Sequence, residues 1–208
     1  MHKTENRIII TGSLEDKHYY ERVVIPLFCE EFRVAPGLKK SKNKNSYYLR
    51  LENKTVFNAF LSLGLKRGNK INAKVPLSIM TDLNLIPHFL RGLFDTAGCL
   101  KFSKQARKYN YYPRIRFCLK IGPLFRNLGI LLNKLNFNYC EFKDKRYDTA
   151  YYEISGKKNV DKWIKLIGMN NPVHKTKYLF WKKFGKHIPK FSLKQRLKSI
   201  GLNINNFG

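Results

Sequence analysis

Pro87 to Phe102 reads PHFLRGLFDTAGCLKF. Leu90, Leu93 and Phe94 recur at helical spacing and Gly98 closes the run, the pattern of an amphipathic helix ended by a C-terminal glycine. The stretch lies between two copies of one pattern. SYYLRLENKTVFNAFLSLG begins at Ser46 and AYYEISGKKNVDKWIKLIG at Ala150, an offset of 104 that aligns Tyr47 with Tyr151, Tyr48 with Tyr152, Lys54 with Lys158, Val56 with Val160 and Gly64 with Gly168. Upstream, the segment from Arg7 matches the one from Arg114 in pattern, an offset of 107. The chain reads as an imperfect tandem repeat.

Each copy reads strand, helix, hairpin, helix. In the first, Arg7–Thr11 is a β-branched strand, and Ser13 caps a helix with Asp16 completing an S-x-x-D box. Tyr20, Val23, Val24, Leu27 and Phe28 give that helix an apolar face, and Pro26 is expected to kink it. Arg33–Leu38 and Tyr47–Leu51 form a hairpin with a basic tip at Lys39–Asn45, and Thr55–Leu63 is a helix stopped by Gly64. The second copy places strands at Cys140–Lys143 and Thr149–Ser155 and a helix at Asn159–Ile167. The expected fold is α+β, with pseudo-two-fold symmetry between a first, incomplete repeat at 1–80 and a second repeat at 81–184 that carries the central helix. A basic extension at 185–208 follows, in which Phe191, Leu193, Leu197 and Ile200 keep near-helical spacing. It reads as a phosphate-gripping arm or a solvated end.

Charge narrows the class of partner. The 208 residues hold 41 Lys+Arg against 14 Asp+Glu, a formal +27, which calls for a polyanion. Apolar residues make up 43%, enough for a core, yet no run approaches the roughly 18–20 apolar residues of a membrane span. The first ten residues lack a signal-peptide layout, so a cytoplasmic location is expected, with an organelle as the alternative. Cys29, Cys99, Cys118 and Cys140 form no C-x-x-C pair and are expected to be buried thiols. Tyrosines interleave with Lys and Arg in KQARKYNYYPRIR and KDKRYDTAYY, as a nucleic-acid face requires, although tyrosine also fills strands.

LRGLFDTAG, Leu90–Gly98, resembles the nine-residue motif of LAGLIDADG homing endonucleases, in the form found in the second half of two-motif members. The order of elements over about residues 7 to 184 is similar as well, and GSLEDKHYYERVVIPLF has the style of archaeal and phage members. The resemblance implies a mobile-element nuclease, of intron or intein, whose saddle-shaped sheets sit on duplex DNA. It implies motif helices packed on the symmetry axis through Gly92 and Gly98, with Leu90, Leu93 and Phe94 turned to the core. It also implies Mg²⁺ or Mn²⁺ held by an acid at the eighth motif position, with the Gly98 carbonyl as a weak further ligand, and a basic strand-end residue, matched by Lys120.

The sequence departs from the pattern at the decisive place. The eighth position is Ala97, whose methyl ligates nothing. Asp95, two residues back and roughly 200° round the helix, is placed to cap or support the helix end and not to substitute. Sixteen residues separate Gly98 from Arg114, whereas six precede Arg7, so the first copy lacks room for a motif helix. Cleavage by this chain alone is therefore not expected. Self-association or a separate N-terminal fragment is expected to cover the motif helix.

The candidate readers of DNA are Lys39, Lys40, Lys42, Lys44 and Arg50 in the first copy. In the second they are Lys101, Lys104, Arg107, Lys108, Arg114, Arg116, Lys143, Lys145 and Arg146. The alternative is a binding-only protein, such as a maturase that grips structured RNA.

Overall fold

The computed structural model describes residues 6–42, 44–65, 67–68, 72–105, 109–144 and 148–207. Lys145, Arg146, Arg107 and Lys108 lie outside the described residues. Two antiparallel sheets organise the molecule. The first holds β1 (Arg7–Ser13), β2 (Gly37–Lys40) and β3 (Ser46–Glu52) in the order β1-β3-β2. The second holds β4 (Gly98–Gln105), β5 (Tyr109–Lys120), β6 (Cys140–Asp144) and β7 (Thr149–Ser155) in the order β4-β5-β7-β6.

Ser13 does start the first helical run. Asp16 Oδ2 accepts from the Ser13 backbone N–H at 2.7 Å and from its hydroxyl at 2.8 Å, closing a 3₁₀ turn at Leu14–Asp16. The run continues as α1 (Lys17–Tyr19), a π segment (Tyr20–Val24) and α2 (Ile25–Phe32). Pro26 has no N–H to donate, and the π segment just before it absorbs the break that the sequence predicts as a kink. Leu27, expected on the apolar face, is half exposed. Arg33 closes α2 in the left-handed conformation, so the hairpin strand begins at Gly37 and not at Arg33.

The tandem repeat is real, but its register differs from the sequence alignment. β3 and β7 correspond from Ser46 to Thr149, an offset of 103, because Ser13 pairs with Ser46 as Lys120 pairs with Thr149. Leu49 and Leu51 thus take the core positions of Tyr152 and Ile154. Aligning the two Tyr-Tyr pairs instead would put Tyr47, on the core face, opposite Tyr151, on the outer face. A one-residue slip inverts every side chain in a strand, so burial decides the register over residue identity.

Helix α5 (Leu85–Ala97) buries Ile86, Leu90 and Phe94 on the second sheet, beside α6 (Pro123–Lys134) and α7 (Lys157–Leu166). Phe94, Phe117 and Trp163 meet with ring centroids 5.5–5.8 Å apart and tie α5, β5 and α7 together. The first sheet packs α1, α2 and α3 (Lys54–Ser62) around two smaller clusters, Tyr19, Tyr20 and Leu49, and Phe28, Leu51 and Val56. The short helix α4 (Leu77–Thr81) lies in the connection between the halves.

The C-terminal extension joins the halves. Helix α8 (Pro172–Phe184) is followed by α9 (Leu193–Ile200), whose Leu193 and Leu197 pack with Phe207. Arg196 is buried, donating to Thr176 Oγ1 at 3.0 Å, to the Phe191 carbonyl and to Glu15 at 3.3 Å. Glu15 also accepts the Leu193 N–H at 2.6 Å, placing a carboxylate on the N-terminus of α9. The segment is packed, not a solvated end.

Candidate nucleic-acid interface

Strand alternation sorts each sheet into a core face and an outer face. On the second sheet Leu100, Ile115, Phe117, Ala150, Tyr152 and Ile154 go inward. Their neighbours form rows across the outer face: Lys101, Arg114 and Ser155; then Cys99, Arg116, Glu153 and Cys140; then Cys118, Tyr151 and Phe142; then Lys120, Thr149 and Asp144. The first sheet turns outward Arg7, Ile9, Thr11 and Ser13 from β1, with Tyr48, Arg50 and Glu52 from β3 and Lys39 from β2.

Glu153 is the organising residue of this face, and the sequence reading missed it. It is 2% exposed, and it holds Arg114 on one oxygen and Arg116 on the other, the Nε of Arg116 at 3.0 Å. Burial pushes its pKa up, but the hydrogen bonds from Arg116 and Arg114 outweigh burial and hold it below the usual carboxylate value. Arg116 also lies over the Tyr151 ring at 4.0 Å, and Tyr151 stacks on Phe142 at 4.8 Å. The first sheet repeats the device at its surface, where Glu52 accepts from Arg7 at 2.9 Å and from Arg50 at 3.0 Å. In TAYYEIS the alternation of Ala150, Tyr152 and Ile154 with Tyr151, Glu153 and Ser155 is the signal that marks these outer residues.

The structure separates the predicted readers. Lys39, Arg50, Lys101, Arg114, Arg116 and Lys120 share the outer faces. Lys42 and Lys44 are exposed in the hairpin loop, and Lys104 is exposed at the irregularity between Ser103 and Gln105. Lys40 and Lys143 stand apart from these rows. Lys40 pairs with Tyr47 and Lys143 with Ala150, which puts both on the helix side of their sheets, because each sits one residue out of phase with the outer rows.

The cysteines are corrected as well: Cys99, Cys118 and Cys140 are exposed and Cys29 is half-buried. Their strand phase places the first three on the outer face, which residue type alone does not reveal.

At the C-terminal end of α5, Ala97 is exposed and Gly98 pairs with Phe117, three residues before Lys120 at the end of β5. Asp95 is 3% exposed and accepts the Asn170 N–H at 2.9 Å and the Asn171 N–H at 3.1 Å, so it caps the approach to α8 instead of its own helix. Burial raises its pKa to about 6 against the opposing pull of those amides. Asp16, the nearest other acid in the network, spends one oxygen on Ser13 and the other on Asn171 Nδ2 at 2.8 Å.

These donors do not fit a divalent-cation site. Ala97 offers no side-chain oxygen, and both carboxylates are committed to holding the fold; among the described residues no cluster of three or more His, Cys, Asp or Glu could hold a metal. Gly98 is required locally, since a Cβ there would lie 2.3 Å from the Phe94 ring. Gly92 is exposed with open space above it, and among the described residues nothing packs on it.

Paired antiparallel sheets, helices on one face and arginines, lysines and aromatics on the other define a saddle suited to a polyanion. Solved structures share this architecture. I-DmoI in complex with DNA and Mn is 18% identical over 78% of this chain and 80% of that one, with a TM-score of 0.54. The I-SmaMI LAGLIDADG homing endonuclease bound to cleaved DNA is 12% identical over 85% and 77%, with a TM-score of 0.57. A variant of I-SmaMI matches over 94% of this chain and 85% of that one, at 12% identity and a TM-score of 0.56. The fold is that of the LAGLIDADG homing endonucleases. No family model matches the sequence, and no curated protein matches it. Among the described residues no helix is long and apolar enough to cross a membrane.

Proposed function

We propose that this chain binds duplex DNA across its two outer sheet faces and does not hydrolyse it unaided. The observation that carries the reading is the arrangement of Lys101 and Arg114 in one row of one face, Arg116 in the next and Lys120 two rows further, with Tyr151 and Phe142 in the row between Arg116 and Lys120. Arginine forks that a buried carboxylate holds in place are preorganised for phosphates or base edges, while the exposed lysines supply positional grip. Residues 1–80 supply one half of the saddle and 81–184 the other. The fold's nuclease chemistry, dependent on Mg²⁺ or Mn²⁺, is the function this sequence departs from at Ala97. The open stripe over Gly92 is the seat for a helix from another polypeptide, a second copy or a separate fragment, and a monomeric mass by light scattering at tens of micromolar argues against it.

A plasmid library with randomised sites tests the reading, with Mg²⁺ or Mn²⁺ present and duplex DNA competed against folded intron RNA. The expected result is DNA retention without cleavage. Preference for the RNA would replace this reading with the maturase one. Cleavage gained by Ala97→Asp would show that one missing carboxylate is the whole defect; cleavage by the unaltered chain would contradict the proposal.

A further inference from the structure

Three of the four cysteines share the outer face of the second sheet, and that placement has chemistry of its own. Cys99 lies directly across from Arg116, which lies across from Glu153, which lies across from Cys140, so one row of the sheet carries a thiol at each end. Cys118 is one row further, between Arg116 and Lys120 on β5. All three are exposed, whereas Cys29 is half-buried on α2 at the other end of the chain.

The thiols are poorly placed to pair with one another. Cys99 and Cys140 stand on the two edges of a four-stranded sheet, three strand spacings or about 14 Å apart. Cys118 is diagonal to Cys99 at about 7–8 Å, past the usual Cα span of a disulfide. The cations around them, Lys101, Arg116 and Lys120, draw small anions to the same surface that draws phosphate.

We propose that Cys99, Cys118 and Cys140 are sites of mixed-disulfide formation with an anionic low-molecular-weight disulfide of the glutathione type, and that the modification releases the protein from DNA. The inference rests on the DNA-binding reading above. In the reaction a cysteine thiolate attacks one sulfur of the small disulfide. The new protein S–S bond forms as the old S–S bond breaks, the second half leaves as a thiolate, and that thiolate takes up the proton the cysteine lost. Glutathione carries more carboxylates than ammonium groups. Each adduct therefore puts bulk and negative charge among the rows that would meet phosphate.

The test uses glutathione disulfide itself, with the modified positions mapped by mass spectrometry in the free protein and in the presence of duplex DNA. Duplex affinity is measured before modification, after it, and after reduction with dithiothreitol. Cys99, Cys118 and Cys140 are expected to react ahead of Cys29, and bound duplex should slow them. The modified protein should bind at least about tenfold more weakly, as loss of a few phosphate contacts implies. Reduction should restore binding, and Cys29→Ser should leave the sensitivity intact.

If the modified protein binds as tightly as the reduced one, or if sensitivity disappears with Cys29→Ser, the proposal is overturned while the DNA-binding reading stands. If the reduced protein does not bind duplex at all, that reading fails and the proposal falls with it.

Discussion

Glu153 shows how one side chain can serve stability and binding in opposite senses. It is buried with Arg114 and Arg116 on its two oxygens, so removing either arginine leaves the carboxylate with one partner and one unsatisfied oxygen. Arg116→Ala is expected to destabilise the fold by about 1–3 kcal/mol in urea titration, which obscures any direct reading of its DNA contact. Lys101→Ala removes an exposed cation and should change stability by less than about 0.5 kcal/mol. Glu153→Gln keeps hydrogen bonding but releases a net positive charge onto the face. Duplex affinity should rise and stability fall; an unchanged affinity would mean the two arginines do not meet DNA.

At this scale the sequence was only half legible. The basic residues were visible as candidates, yet which of them share a face depends on strand phase, and Lys40 and Lys143 fall on the wrong side of it. The thiols were misplaced for the same reason, because a cysteine's usual burial carries no information about the direction in which a strand presents it.

The element that joins chemistry to fold is the junction of α5 with α8. Asp95 replaces the solvent that the Asn170 and Asn171 amides would otherwise need. Asp95→Ala should cost about 2 kcal/mol or more by leaving those amides unpaired, whereas Asp95→Asn, which keeps an acceptor, should cost about half as much or less. Equal losses in urea titration would contradict the capping role.

His174 on α8 packs against Phe94 with centroids 4.8 Å apart, and burial, reinforced by Lys177 and Arg196, lowers its pKa to about 4. The unfolded chain therefore binds a proton here before the folded one does. Stability from this histidine is complete above about pH 6.5 and is lost as pH falls toward 4. Asp95 opposes it, since a carboxyl raised to about 6 gains stability as pH falls through that value. Relative to the wild type, His174→Leu should gain stability steadily from about pH 6.5 down to 4 in denaturation curves, and a constant difference would refute the assignment.

Apolar spacing made α5 itself plain from sequence. Its junction was not, because Asp95 acts on a segment 75 residues away.

Across the whole molecule, the second half has a continuous core, and the first has two small clusters and leans on the C-terminal segment. Glu15 holds both Arg196 and the amide that starts α9, and Asp16 holds Asn171, so the turn at Leu14–Asp16 clamps the first half to the C-terminal segment and to the start of α8. Glu15→Ala should raise amide hydrogen exchange in α9 and β1 together while leaving α6 and α7 protected. The tandem repeat and the two-sheet plan could be read from internal similarity and periodicity. The clamp could not, because its contacts join residues about 180 apart, as Glu15 and Arg196 do.

The central claim is that the outer faces form a polyanion-binding saddle. Its most direct test is equilibrium binding of fluorescent duplex DNA over a range of salt concentrations, for the unaltered chain and for Lys101→Ala. The account predicts a steep fall of log K with log salt, with a slope shallower by about 0.9 in the variant, as one lost phosphate contact requires. A flat dependence, or an identical slope in the variant, would contradict it.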